Sequence, residues 1–292
     1  MTLEQLRIFI AVAEKQHVTQ AASELNLTQS ATSAAIAALE SRYGIKLFDR
    51  IGRGIVLTQT GRDFLDEARA VVARAKTAAQ VLNDLAGLKR GALAIAASQT
   101  VANYWLPPRI QTFHMSYPGI NLNMTIANTE QVARAVHQGY ADLGFVEGEV
   151  DDASLTISKM DGDSLIVVVG TKHPWVGRTK IAPKDLLAAD WVLRESGSGT
   201  RSMFETALRK FKIKLSDLRL ALELPSNEAV RAAVEAGDCA TAISDLVVRA
   251  SVTAGTLHRV EIDLPRRSFF WLRHKERYAS QAEKAFIASL RA

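Results

Sequence analysis

Two short segments of this 292-residue sequence carry the residue types that hold small anions. Ser98-Gln99-Thr100 follows an apolar run, Ala92–Ala97. Glu195-Ser196-Gly197-Ser198-Gly199-Thr200-Arg201 follows another, Trp191–Leu193, and leads into a helical pattern. Hydroxyls beside the free backbone N–H groups of a helix start donate to a negative charge, and the helix dipole adds to the attraction. Asn227, between the run Leu220–Leu224 and a further helical pattern, could join them. The expected binding set is Ser98, Gln99, Thr100, Ser196, Ser198, Gly199, Thr200, Arg201 and Asn227. The expected ligand is a small carboxylate or oxyanion. The same residues also suit plain turns and helix caps, and Arg201 suits solvent as well as an anion.

Other chemistry is not encoded. The Ser-Gly-Ser-Gly-Thr-Arg run lacks the Gly-Lys-Ser/Thr ending of a phosphate-binding P-loop and the spacing of a nucleophile elbow. The six histidines are scattered, without metal-ligand spacing. Glu147, Glu149, Asp151 and Asp152 cluster, but are expected on a solvated loop. Cys239, the single cysteine, has no partner in the chain for a disulfide switch and is expected to be an inert thiol. No catalytic residue, metal or cofactor is therefore expected, and the chain reads as a non-enzyme.

A second constellation lies near the start. Residues 17–40 read HVTQAASELNLTQSATSAAIAALE. A short helix over Thr19–Leu25 carries small Ala21 and Ala22 for close packing. Asn26 can adopt the left-handed conformation that ends it, and Thr28 can cap the next helix. That helix has Ala31, Ala35, Ile36 and Leu39 as its apolar face. Two helices joined so tightly form a helix-turn-helix unit, whose second helix offers Thr28, Gln29, Ser30, Thr32 and Ser33 to base edges or phosphates. A plain helical hairpin would read the same way. Residues 47–58, LFDRIGRGIVLT, follow as strand, Gly-flanked turn and strand, with Arg53 at the tip and Arg50 before it. Those arginines suit phosphate or minor-groove contact, or a solvated loop.

The elements that must position these residues fall into three regions. Residues 1–58 are short and helix-patterned. Residues 59–88 form one long helical pattern in which Phe64, Ala68, Val71, Ala75, Ala78, Leu82 and Leu85 alternate at spacings of four and three. A lone helix with such a stripe needs a partner, and a second copy is the simplest. Residues 89–292 alternate short apolar strands with helices, an α/β pattern with a largely parallel sheet. Apolar residues make up 48% and charged residues 23%, which excludes a disordered chain. The net charge of +5 permits a polyanion partner without locating it. No apolar run is long enough to span a bilayer, so a cytoplasmic protein without a membrane partner is expected.

The runs LEQLRIFIAVAE, TQAASELNLTQSATSAAIAALE and LFDRIGRGIVLTQTG, in this order, resemble the LysR-type transcriptional regulators. The resemblance implies a winged helix-turn-helix at 1–58, a linker helix at 59–88 and a two-subdomain effector domain at 89–292 like the periplasmic binding proteins. Its subdomains would be about 89–161 with 267–292, and 162–266. It implies double-stranded operator DNA and a small-molecule effector as partners, a homodimer or homotetramer, and RNA polymerase as a compatible contact. It places the effector cleft beside Ser98, Thr100, Ser198 and Thr200, and the SGSGTR run resembles relatives that respond to small oxyanions or carboxylates. Many relatives carry larger polar or basic residues where this chain has Ala34 and Ala35, which shifts base readout toward Gln29, Ser30, Thr32 and Ser33. A solute-binding protein or an enzyme on a binding-protein fold are the rival readings.

Overall fold

The computed structural model of the chain describes residues 1–51, 54–85, 91–178 and 180–290, the side chain of Asn83 excepted. The chain forms two compact units, Met1–Ala86 and Gly87–Ala292.

The first unit contains α1 (Leu3–Lys15), α2 (Val18–Glu24), α3 (Gln29–Tyr43), β1 (Phe48–Ile51), β2 (Gly54–Leu57) and α4 (Gln59–Leu85). A reciprocal cap starts α1, with Thr2 and Gln5 each bonding the other's backbone N–H through a side chain. Asn26 takes the left-handed conformation at φ 55°. Thr28 caps α3 by accepting the Ala31 N–H at 3.2 Å. The buried stripe of α3 is Thr32, Ile36, Leu39 and Glu40. It lies one residue round from the expected face, leaving Ala31 outside. Leu6, Phe9, Val12, Ala21, Ile36, Leu39 and Leu47 form the core, closed by Phe64 and Leu65 of α4. Phe9 meets the Phe48 and Phe64 rings at 5.5 and 5.1 Å. Each such large side chain contributes roughly 1.5–3 kcal/mol on burial.

α4 has 27 residues, a length of roughly 40 Å. Its apolar seam divides. Ala68 is buried in the unit's own core, and Phe64, partly buried, packs against it. Val71, Leu82 and Leu85 are 43%, 68% and 80% exposed. Residues 86–88 of the expected linker lie outside the described residues.

The second unit contains β3 (Gly91–Ser98), α5 (Leu106–Ser116), β4 (Ile120–Ala127), α6 (Thr129–Gln138), β5 (Leu143–Glu147), β6 (Leu155–Gly170), β7 (Asp190–Arg194), α7 (Gly199–Lys210), β8 (Arg219–Leu224), α8 (Asn227–Ala236), β9 (Ala240–Ser244), α9 (Asp245–Ala254), β10 (Leu257–Val260), β11 (Arg266–His274) and α10 (Gln281–Ser289). The strand order is β4-β3-β5-β11-β6-β9-β7-β8, with β10 also on β6. In one half β3 pairs parallel with β4 and β5; in the other β7 pairs parallel with β8 and β9. The long antiparallel strands β6 and β11 run between the halves. Where they touch, a Cβ on Gly162 would stand 2.0 Å from the Arg267 carbonyl oxygen, so only glycine fits. One half is filled by Leu93, Ile95, Phe113, Phe145 and Phe286, the other by Val167, Trp191, Leu193, Phe204 and Leu208. The sheet is therefore parallel within each half and antiparallel at the crossovers. The polar first part of β6, with Lys159, Asp161 and Asp163, carries no apolar run and gives no strand signal in the sequence.

Candidate functional site

In an open α/β sheet the carboxyl ends of parallel strands face a common crevice, where ligands bind. β3, β5 and β7 end at Ser98, Glu147 and Arg194, and α7 and α8 begin at Gly199 and Asn227. Ser98, Thr100, Thr200 and Asn227 converge as expected, each at most 1% exposed. At their centre lies a carboxylate of the chain itself. Ser98 donates its hydroxyl to Glu147 Oε2. Thr100 and Thr200 both donate to Glu147 Oε1, each at 3.3 Å. Glu147 is buried at the end of β5, not on the solvated loop expected for it. The strand Leu143–Glu147 is buried throughout, and its last side chain must follow it inward.

Bonds continue outward on both sides. Asn227 Nδ2 donates to Thr100 Oγ1 at 3.1 Å, and Arg194 Nη1 donates to Asn227 Oδ1 at 2.5 Å. Arg194 also pairs with Glu195 at 2.8 Å. Burial opposes ionisation of Glu195, but hydrogen bonds from Arg194 and Asn128 outweigh it and hold this carboxyl below its usual range. On the other side Arg267 Nη1 donates to Thr200 Oγ1 at 3.0 Å, while its Nε and Nη2 pair with Asp163. Full burial opposes the Arg267 charge, but Asp163, Glu147 and Asp245 more than restore it.

The remaining expected residues serve other ends. Gln99 bridges the halves, accepting the Asn227 N–H at 2.8 Å and donating to Pro225 O at 2.9 Å. Gly199 allows close approach, since a Cβ there would stand 1.9 Å from Glu147 O. Thr129 Oγ1 donates to that same oxygen at 2.8 Å. Ser198 is buried, its hydroxyl without a partner among the described residues. Ser196 is exposed. Arg201 does not reach the cluster. It pairs with Glu205 at 3.0 Å and with Glu223, and donates to Arg194 O. The cations of the site are Arg194 and Arg267, which sequence reasoning missed. Arg267 stands at a crossover some 70 residues beyond Thr200, with no local motif. Glu147 had a readable signal, an unbroken apolar strand ending in an acid.

In the first unit, α3 and the hairpin line a groove of about 710 Å³ that contains Gln29, Ser33, Lys46 and Arg50. Thr28, Gln29, Ser30 and Arg50 are exposed. Gln29 Nε2 donates to Ser33 Oγ at 3.1 Å. Thr32 is fully buried and donates its hydroxyl to Thr28 O at 3.1 Å, so it offers the groove nothing. Arg53 lies outside the described residues. A buried acid that the sequence did not mark, Glu40, fixes the hairpin to α3. It accepts the Leu47 and Phe48 N–H groups at 2.8 and 3.2 Å and pairs with Lys46 at 3.1 Å.

No helix among the described residues is long and apolar enough to cross a membrane. The Cys239 thiol is partly buried, and burial pushes it above its usual range.

Comparison with known proteins agrees with this geometry. Residues 3–62 match the family model for the bacterial regulatory helix-turn-helix protein, lysR family, and residues 86–292 match the LysR substrate binding domain. The chain is 33% identical over 98% of its length, and 96% of the other, to an uncharacterized HTH-type transcriptional regulator, YeiE, of Escherichia coli strain K12. It is 31% identical over 98% of its length, and 90% of the other, to a probable RuBisCO transcriptional regulator of Cyanophora paradoxa. Full-length CbnR complexed with its target DNA shares the fold, with a TM-score of 0.71 over 100% of this chain and 99% of that one at 22% identity. These matched relatives are regulators of transcription, not enzymes. The chain belongs to the LysR family of DNA-binding transcriptional regulators, with an N-terminal helix-turn-helix and a C-terminal substrate-binding domain.

Proposed function

We propose that this regulator binds its operator through Thr28, Gln29, Ser30 and Ser33 of α3 and through Arg50 and Arg53 of the wing, and that a small oxyanion or carboxylate sets its output from the cleft between the halves of the second unit. The exposed seam of α4 supports a homodimer or homotetramer, which would present two heads to two half-sites. Contact with RNA polymerase and a cytoplasmic setting fit that role.

One observation carries the choice of ligand. Two segments far apart in sequence, Ser98–Thr100 and the start of α7, place three hydroxyls round one buried point, and the group they hold there is a carboxylate. Hydrogen bonds to a charged acceptor contribute roughly 1.5–3 kcal/mol each. The arrangement thus favours an anion of similar size over a neutral or cationic ligand.

The experiment selects duplexes from a random library with the full-length protein. It then titrates the protein with sulfate, phosphate and acetate by calorimetry, with and without the selected duplex. Selection of a defined sequence and saturable binding of at least one anion are expected. Enrichment of no sequence would overturn the DNA reading, and binding of none of the anions would overturn the ligand reading.

A further inference from the structure

The position that a small anion would occupy is filled by Glu147. Its two carboxylate oxygens take the hydroxyls of Ser98, Thr100 and Thr200, and the side chain is 1% exposed. An incoming anion therefore cannot reach those donors while Glu147 keeps them.

Nor could the cleft hold both negative charges. Arg267 spends Nε and Nη2 on Asp163 and offers only Nη1, to Thr200. Arg194 is paired with Glu195 and bonded to Asn227. Two carboxylate-sized charges side by side, out of water and without a further cation, repel strongly.

The contact also joins the halves. Ser98, Thr100 and Glu147 lie at the ends of β3 and β5, whereas Thr200 starts α7 in the other half. Gln99 to Asn227, and Tyr104 and Asn103 to Glu228, cross the same seam. The Glu147 backbone is fixed by Thr129 and by the close approach of Gly199. The side chain can therefore leave only by its own rotation or by parting of the halves.

We infer that Glu147 is a tethered internal ligand, which latches the two halves together in the effector-free protein, and that an anionic effector acts by taking over its hydroxyl donors. The inference rests on the anion-responsive reading of this cleft and adds what the anion must displace. A built-in competitor lowers apparent affinity by the fraction of time the site is vacant. It also sets selectivity, because a ligand must outbid a carboxylate that is always present.

Calorimetry on the full-length wild type, Glu147→Ala and Glu147→Gln, with sulfate, phosphate and acetate as probes, tests this. Glu147→Ala frees the donors and should bind at least one anion about 10- to 150-fold more tightly than wild type, the factor for a hydrogen bond to a charged group. Acetate, which resupplies the deleted carboxylate, should raise the melting temperature of Glu147→Ala more than that of wild type. Glu147→Gln keeps the shape but not the charge, so its affinity should lie between the two; it also serves if the alanine variant does not fold. A folded variant that binds no anion more tightly than wild type would overturn the latch. If wild type binds the anion equally well, the anion-responsive reading survives without the latch. If no protein binds any of the three, both fail.

Discussion

Thr200 Oγ1 lies 3.3 Å from Glu147 Oε1, and the pair links the two halves of the effector domain through side chains that are each 1% exposed. The same hydroxyl accepts Arg267 Nη1 at 3.0 Å, so one threonine serves a buried carboxylate and a buried guanidinium together. Thr200→Val keeps the shape and removes both bonds. Leaving buried polar groups unmatched costs about 1–3 kcal/mol. Urea unfolding of the full-length protein should show a loss of that size, and Thr200→Ser should recover most of it. Wild-type stability in the valine variant would mean that the contact contributes nothing.

The exposed part of the α4 seam should carry self-association. Leu82 is 68% exposed, so Leu82→Asp costs an isolated chain little. In a desolvated seam an unpaired charge costs about 3–5 kcal/mol. Sedimentation should therefore show smaller species for Leu82→Asp with an unchanged far-ultraviolet spectrum. Assembly like that of wild type would assign the subunit contact elsewhere.

Glu40 should matter to DNA binding without touching DNA. Its carboxylate holds the first backbone N–H groups of the wing against α3. Glu40→Ala leaves both donors without that acceptor, at about 1–3 kcal/mol, and frees the wing to move. Fluorescence anisotropy with the selected duplex should report weaker binding, with the anion affinity of the second unit unchanged. Glu40→Gln keeps one carbonyl acceptor and should fall between.

Stability should fall as pH rises toward neutrality because of Glu283. Burial, with Asp142 adding to it and Arg273 opposing, pushes its carboxyl up to about 7 from an ordinary 4.5. The folded state thus binds this proton more tightly than the unfolded chain does. Below pH 4.5 the group is protonated in both states and costs nothing. Between 4.5 and about 7 the unfolded state loses its proton first, and folding stability declines. Above about 7 the loss levels off, at roughly 3 kcal/mol as an upper bound. Glu283→Gln should raise the melting temperature at pH 8 and leave it nearly unchanged at pH 5. Equal effects at the two values would contradict the assignment.

Much of this was readable where a local rule acts alone. Asn26 takes the left-handed turn and Thr28 caps α3, because each needs only neighbours within three residues. Ser98, Thr100, Thr200 and Asn227 meet because each ends or follows a parallel strand whose carboxyl end faces one crevice. The failures have the opposite character. The place of Arg201 in the motif points to the cleft, but the helix turns it toward Glu205 and Glu223. The acidic sequence neighbours of Glu147 point to a solvated loop, whereas its surroundings are set by a strand buried from end to end. Arg267 reaches Thr200 only through the pairing of β6 and β11, which no short stretch of sequence specifies. The polar first part of β6 is held by its partner β11, not by an apolar alternation.

On the proposed function, a small anion in the cleft and operator DNA on the head are coupled through one molecule. The direct measurement is the affinity of the full-length protein for its selected duplex, with and without a saturating concentration of the anion found by calorimetry, paired with the anion affinity with and without duplex. Each ligand should change the other's affinity, by about 5- to 150-fold and by the same factor in both directions. Operator affinity that stays the same while the anion occupies the cleft would contradict it.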